Sequence, residues 1–253
     1  MTQSFESEWQ ARFERFARTY EDEALVSGWS AEGLARRVRV FQALVATLEL
    51  PARAVALDLG CGAGTYVRLL GGLGHRAVGL DYSLPSLDRA LAADPGRKGS
   101  YLAGEAYALP FRAASLDLVV SIGVLQALAD PARALGEMAC ALRPGGWVVV
   151  ETLNACALVA RARRAHEAAR RQAPRVRAWD PDRTRALIAG CGLALRGEVP
   201  VWLPPRRVPQ LGRLLDSPPV ARALAAFRAL ARVGAHAFLF VAQKPASQRG
   251  GMA

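Results

Sequence analysis

Lysine is almost absent from this chain of 253 residues, since Lys98 and Lys244 are the only two. Histidine is also scarce, with three residues, and the four cysteines form no Cys-x-x-Cys pair. We therefore expect neither a zinc site nor a disulfide framework, and no bound metal. No apolar run approaches the roughly 18 residues of a membrane-spanning helix. The polar, acidic start, Met1 to Glu8, is unlike a signal peptide, so the expected compartment is the cytoplasm.

Arginine carries most of the net charge of +11, and it is unevenly distributed. From Arg161 to the end there are 18 basic and 5 acidic residues, whereas the first 160 residues are slightly acidic. Two interpretations stay open. The arginines are solvated side chains of an Arg- and Ala-rich composition, or they form a basic surface that faces an anionic partner such as a phosphate, a carboxylate or a membrane.

The periodicity predicts one domain over residues 1–253, with a helical cap at 1–50. Within 51–152, short apolar runs alternate with helical stretches, which indicates a parallel sheet covered by helices on both faces. Residues 153–253 are expected to complete the sheet and to carry two lid insertions, 154–179 and 200–235. Ser30 is the predicted N-cap of the second N-terminal helix.

A buried strand runs into three alternating glycines, Gly60, Gly62 and Gly64, and then into a helix. Such a turn brings a ligand close to bare backbone at a helix N-terminus. Asp81 ends the next predicted strand, where an acidic residue would bind a ribose. Asp58, two residues before the first glycine, would repel a pyrophosphate and attract a cationic tail. The residues therefore favour S-adenosyl-L-methionine as the cofactor over a dinucleotide. The alternative is that Asp58 only ties the loop by accepting backbone N–H groups.

Five segments resemble the class I S-adenosylmethionine-dependent methyltransferases, and most closely the ubiquinone/menaquinone-biosynthesis group of methyltransferase type 11. They are ALDLGCGAGTY at 56–66, VGLDYS at 78–83, GEAYALPF at 104–111, SLDLVVSIGVLQAL at 115–128 and LRPGG at 142–146. The resemblance covers Phe13 to Gly146 and returns from Asp180 to Pro245. It implies a Rossmann-like, doubly wound sheet of seven strands, mostly parallel with the last strand antiparallel, and an enzyme that transfers methyl groups.

The same resemblance implies a role for each matching residue. The methionine end of the cofactor would lie on Asp58, Gly60, Cys61 and Gly62. Asp81 would bind the ribose, and Tyr82 would lie against the adenine. Glu105, where the family usually has Asp, and the Ala106 N–H would face the adenine edge. Ser121 would lie beside the methionine amino group, and Tyr20 would close over the carboxylate.

Catalysis requires alignment and exclusion of water, and a base only if the acceptor must lose a proton. Relatives often carry His after the fourth strand, but this chain has Gln126, which cannot act as a base. Glu151, with Asn154 beside it, is the candidate base; the alternative is a solvated or ion-paired loop acid. Tyr20, Trp29 and Trp202 are either an aromatic wall or packing residues.

The arginine-rich lids, which include Arg206 and Arg207, also contain apolar faces. They favour a small-molecule acceptor, aromatic, lipid-like or glycan-linked, that bears an anionic group. An RNA methyltransferase and a non-catalytic S-adenosylmethionine-binding protein are the alternatives. Nucleic acid is not the expected partner, because the chain has no N/D-P-P-Y/F motif and no readable RNA-binding module. Peripheral contact with a membrane and the oligomeric state are left open.

Overall fold

The computed structural model describes residues 5–171, 176–203, 220 and 227–246. Seven strands form one sheet in the order β3-β2-β1-β4-β5-β7-β6. The strands are β1 (Val55–Leu59), β2 (Arg76–Asp81), β3 (Gly99–Ala103), β4 (Leu116–Ser121), β5 (Leu142–Leu153), β6 (Ala194–Val201) and β7 (Ala237–Gln243). The described helices are α1 (Phe5–Thr19), α2 (Glu23–Val26), α3 (Ala31–Val45), α4 (Thr65–Gly72), α5 (Leu84–Ala93), α6 (Pro131–Ala141), α7 (Leu158–Ala169), α8 (Pro181–Gly190) and α9 (Arg228–Gly234).

The first five strands are parallel neighbours, and β7 runs antiparallel between β5 and β6. The expected fold class, a Rossmann-like sheet that is mostly parallel with an antiparallel last strand, is therefore confirmed. The order of the strands reverses between β1 and β4, and in such sheets ligands bind outside the carboxyl ends of the strands at this point. The topology thus brings the segments that follow β1 to β4 to one edge.

Both faces of the sheet are buried, which explains why the strands read as nearly continuous apolar runs. Alternate residues of β1 belong to different cores: Leu57 and Leu59 pack with α6 and α8 on one face, whereas Ala56 packs with α3 and α4 on the other. Asp58 lies on the α3 and α4 face by this alternation, and so does Glu151 of β5, because Val149 and Leu153 pack there.

The N-terminal region contains three helices where two were expected. The additional turn, α2, is stabilised by the Asp22 carboxylate, which accepts a hydrogen bond from the Leu25 N–H at 3.0 Å. Ser30 is confirmed as the N-cap of α3, since its hydroxyl oxygen accepts from the Gly33 N–H at 3.1 Å. In the first predicted lid, helix α7 begins only at Leu158. Most of the second lid, including Arg206 and Arg207, lies outside the described residues.

Among the described residues, no helix combines the length and the hydropathy that a bilayer-spanning segment requires.

Helix α4 packs so closely against the chain before β3 that Gly71 has no room for a side chain. A Cβ at Gly71 would lie 2.0 Å from the Lys98 carbonyl oxygen, whereas a Cβ at the adjacent Gly72 would meet nothing within 4 Å. We expect Gly71→Ala to lower the free energy of unfolding by about 1–3 kcal/mol or more, because backbone must move to relieve the overlap. Gly72→Ala is the matched control and is expected to be neutral or stabilising by up to about 1 kcal/mol, because Ala favours helix over Gly. Urea denaturation of both variants checks this; equal effects would contradict the packing described here.

Candidate functional site

The glycine-rich turn between β1 and α4 is held against the end of β2 by backbone hydrogen bonds. The N–H groups of Gly60 and Cys61 both donate to the Leu80 carbonyl oxygen, at 2.7 and 3.2 Å. Gly60 and Gly62 have φ of +74° and +51°, in the left-handed region that favours glycine. A Cβ at Gly60 would lie 2.3 Å from a Val124 methyl group, whereas a Cβ at Gly62 would have Ser27 Oγ, 3.8 Å away, as its nearest neighbour. The turn therefore presents open space above Gly62.

Asp81, at the end of β2, joins this turn to the segment that follows its own strand. Its Oδ2 accepts from the Gly62 N–H and its Oδ1 from the Ser83 N–H, both at 2.9 Å. Burial raises the pKa of Asp81, and these backbone hydrogen bonds partly oppose the rise. Each carboxylate oxygen retains a lone pair, so the group can still accept hydrogen bonds from a ligand.

A pocket of about 850 Å³, including its open mouth, lies along the carboxyl ends of β1 to β4. Six of the predicted cofactor-binding residues line it: Gly60, Gly62, Asp81, Tyr82, Glu105 and Ala106. The other lining residues are Glu6, Trp9, Gln10, Phe13, Val26, Ser27, Trp29, Leu59, Leu80, Ser86, Gly104, Ile122, Gly123, Val124, Ala127 and Leu128.

Four predicted cofactor residues do not line the pocket: Asp58, Cys61, Ser121 and Tyr20. A Cβ at Gly79 would lie 2.7 Å from Cys61 Sγ, so the thiol lies close against β2. Tyr20 packs with Ala17, Val26 and Ala63 instead of facing the pocket. For all ten residues, the six that line the pocket and the four that do not, the cofactor-binding role stays a prediction.

Asp58 lies fully buried beneath the turn, with one carboxylate oxygen, Oδ2, that has no hydrogen-bond partner in the structure. Burial and the nearby charge of Asp81 raise the pKa of Asp58 to about 8. A buried, unpaired carboxylate is costly, and a cation bound close by would favour its charged form. Asp58 therefore fits a cationic ligand on the turn better than a merely loop-tying residue whose acceptors are all used.

Helix α1, part of the predicted helical cap, covers the pocket with residues that sequence reasoning did not name. It supplies Glu6, Trp9, Gln10 and Phe13 to the lining. Hydrogen bonds tie it down: Tyr82 Oη donates to the Gln10 carbonyl at 3.3 Å, and Tyr107 Oη to the Glu6 carboxylate at 3.2 Å. Sequence reasoning assigned a site role in this region only to Tyr20, whereas Trp9 and Phe13 of α1 line the pocket.

Glu151, the candidate base, forms an ion pair inside the protein. Its Oε1 accepts from Arg37 Nε at 2.6 Å, and both side chains are fully buried. Burial raises the pKa of Glu151, and Arg37 partly opposes the rise. Glu151 does not line the pocket, and its role as a base stays a prediction. Its contact with Arg37 matches the alternative of an ion-paired acid. Sequence reasoning missed Arg37, because an arginine beside Arg36 and Arg39 on a helix is ordinarily solvated.

The side-chain amide of Asn154 is engaged in hydrogen bonds to backbone. Its amide donates to the carbonyl oxygens of Arg232 and Ala235 at 2.8 and 2.9 Å, and its Oδ1 accepts from the Cys156 N–H at 2.9 Å. Asn154 therefore links the end of β5 to the entry of β7. Of the suggested aromatic wall, Trp29 lines the pocket, whereas Trp202 packs against Gly234, where an added Cβ would lie 2.5 Å from its ring.

The chemistry of the lining fits a nucleoside with a cationic tail. Three carboxylates, Glu6, Asp81 and Glu105, line the pocket, and no basic side chain does within the part of the chain that the structure describes. Carboxylates accept hydrogen bonds from ribose hydroxyls and an adenine amino group, and they attract a sulfonium or ammonium. A dinucleotide pyrophosphate would meet repulsion here.

Comparison with known proteins agrees with this assignment. Residues 57–150 match the model of a methyltransferase domain. A demethylmenaquinone methyltransferase of Roseiflexus castenholzii is 35% identical over 156 residues, covering 60% of each chain. A ubiquinone biosynthesis O-methyltransferase of Burkholderia ambifaria is 35% identical over 102 residues, 39% of this chain and 44% of that one. The chain thus spans about half the length of the curated relatives it matches.

Solved structures share the fold at low sequence identity. A chain from the complex between the Haloferax volcanii Trm112 methyltransferase activator and a putative methyltransferase superposes with a TM-score of 0.64 at 21% identity, covering 96% of this chain and 98% of that one. A putative methyltransferase from Bacillus halodurans gives 0.60 at 16% identity, with 81% and 98% covered. Residues 57–150, which include the glycine turn and Asp81, thus match a methyltransferase domain, and the sheet has the fold of solved methyltransferases.

Proposed function

We propose that this chain transfers a methyl group from S-adenosylmethionine to a small aromatic or lipid-like acceptor. The observation that carries the proposal is the pocket itself. It combines the Gly62–Asp81 hydrogen bond, three lining carboxylates and an apolar remainder that includes Trp9, Phe13 and Trp29. Relatives that are named as methyltransferases of quinone biosynthesis support the aromatic, lipid-like class of acceptor.

The lining residues that would contact the cofactor are arranged along the sheet edge in the order of the strands. The strand order is β3-β2-β1-β4, so Glu105, Asp81, Gly60 and Gly123 follow one another across it. Neighbouring strands are about 4.8 Å apart, so this row spans about 14 Å, enough for an extended nucleoside. Adenine would lie by Glu105, ribose on Asp81, and the cationic tail over the glycine turn and the end of β4.

S-Adenosylmethionine supplies an activated methyl group on a positively charged sulfur. The residues of this chain would bind and orient both reactants and exclude water. Helix α1 and the segment around Trp29 close the pocket from above, so the transfer would take place away from bulk solvent. Asp58 and Asp81 would stabilise the positive charge that the donor carries before transfer, with Asp58 acting through burial beneath the turn.

An anionic group on the acceptor is a separate part of the proposal. The lining among the described residues is acidic, so such a group would have to meet arginines outside it, of which Arg206 and Arg207 are the candidates from the sequence. Changing both to Ala should raise the KM for an anionic acceptor at least about tenfold, because charge-assisted hydrogen bonds contribute roughly 1.5–3 kcal/mol. Arg170 and Arg171, both changed to Ala, serve as the matched control. An unchanged KM would reject the anionic group and leave the methyl transfer standing.

Titration calorimetry with S-adenosylmethionine, S-adenosylhomocysteine and NAD tests the cofactor and the role of Asp81. We expect both sulfur nucleosides to bind, NAD not to bind, and Asp81→Ala to weaken binding about 10- to 100-fold, because the ribose contacts and the Gly62 hydrogen bond are lost. Asp88→Ala, at an exposed position of α5, is the control and should bind like the wild type. A folded wild-type protein that binds neither sulfur nucleoside would refute the proposed function.

The raised pKa of Asp58 makes a prediction about stability. The unfolded chain loses this proton near pH 4, whereas the native protein keeps it up to about pH 8. Between these values the native state binds more protons, so the contribution of Asp58 to stability falls as the pH rises. Asp58→Asn cannot titrate, so its free energy of unfolding should gain on the wild type by up to about 1.4 kcal/mol per pH unit from pH 5 to 8. Urea denaturation without ligand measures this difference, and parallel curves for the two proteins would show that native Asp58 is already ionised.

A further inference from the structure

Trp29 occupies the pocket at its β4 end and is held there by several independent contacts. The backbone N–H of Trp29 donates to the Ala24 carbonyl oxygen at 2.7 Å, which fixes the backbone of the link between α2 and α3. The edge of its ring lies over Gly123, whose φ is +82° and where an added Cβ would lie 2.5 Å from Trp29 Cζ2. The chain thus leaves room for this indole at the point where β4 ends.

Behind the indole lies the buried ion pair. The guanidinium carbon of Arg37 is 4.4 Å from the centre of the Trp29 ring, and Arg37 in turn donates to Glu151 and to the Gly33 carbonyl. One atom of each partner, Arg37 Nη2 and Glu151 Oε2, is buried without a hydrogen-bond partner. Buried ion pairs often stabilise no better than apolar residues of the same size. Stability alone therefore does not explain the pair. The contact between Arg37 and Trp29, which lines the pocket, suggests a role in the site.

We propose that Trp29 is the wall that the activated methyl group faces, and that Arg37 and Glu151 are positioning residues for it. This rests on the proposed function, because the order of contacts along the sheet edge puts the sulfonium near the end of β4, beside Gly123 and Trp29. A cation next to an indole is attracted by the ring. Arg37 already covers one side of the Trp29 ring, and its positive charge alone would weaken the attraction between the ring and the sulfonium. The negative charge of Glu151 offsets the charge of Arg37, and the guanidinium still supports the ring.

The proposal makes a prediction about two ligands that differ in charge. S-Adenosylmethionine carries a sulfonium, whereas S-adenosylhomocysteine has a neutral thioether and is otherwise alike. We expect Trp29→Leu to weaken binding of S-adenosylmethionine about 5- to 10-fold more than binding of S-adenosylhomocysteine. Trp29→Phe, which keeps a ring, should restore most of the difference. Glu151→Gln should shift the ratio of the two affinities in the same direction as Trp29→Leu, because the Arg37 charge is then unbalanced.

Two control variants separate this role from a general loss of structure. Trp9→Leu changes another indole of the same pocket, on α1, and should weaken both ligands by the same factor. Glu198→Gln removes a partner of Arg185 in an ion pair away from the pocket and should change neither affinity. Titration calorimetry measures both ligands on each variant, and circular dichroism checks that each variant is folded.

The outcomes distinguish this inference from the function on which it rests. If Trp29→Leu weakens both ligands equally, or neither, Trp29 does not face the sulfonium and the inference is wrong while the proposed function stands. If the wild type binds neither ligand, both fail together. Should Glu151→Gln not fold, the double variant Arg37→Met, Glu151→Met replaces it, since apolar residues of similar size can take the place of a buried ion pair. The indole then loses its support, so the affinity ratio should shift in the same direction as in Trp29→Leu, and an unchanged ratio would overturn the positioning role.

Discussion

The attachment of the glycine turn to the end of β2 is the constraint on which the rest of the site depends. Two N–H groups of the turn share the Leu80 carbonyl, and a third donates to Asp81. These bonds fix three things at once: the start of α4, the direction of the Asp81 carboxylate and the open space above Gly62. Because Gly60 lies against Val124, the same turn also sets the path of the chain after β4. The segments that follow three strands, β1, β2 and β4, are thereby held together at one edge of the sheet.

Buried carboxylates on this side of the sheet lower the stability of the protein. Different groups offset this cost for different residues. Asp81 is compensated by backbone N–H groups, and Glu151 by Arg37. Asp58 has neither form of compensation for its Oδ2, and its pKa is raised to about 8. A buried acid beside a pocket whose pKa is strongly raised is typical of functional sites rather than of structural cores. The least stabilised of the three acids is therefore the one whose retention is best explained by a cationic ligand.

The sequence predicted the sheet, the turn and the residues at the ends of β1 to β3, because glycines, buried apolar runs and a spaced acid are local signals. It did not identify which residues of α1 line the pocket, nor that Arg37 pairs with Glu151. Both depend on contacts across long stretches of chain: Arg37 and Glu151 are 114 residues apart, and Tyr107 reaches Glu6 over 101. An amphipathic stripe shows that a helix is covered on one face, but not whether core or ligand covers it. Tyr20 is an example: it packs against Ala63 in the structure, and its role at the carboxylate stays a prediction.

The arginine-rich last third also looks different once its contacts are known. In the described part of that third, Arg185 pairs with Glu198, Arg232 with Asp180 and Asp182, and Arg177 donates to the Leu128 carbonyl. Such arginines serve the packing of α8, α9 and the β4 loop, and they do not line the acidic pocket. Within the pocket, an arginine and a sulfonium would compete for the same carboxylates. Arginines that attract an anionic acceptor would therefore have to lie outside the pocket.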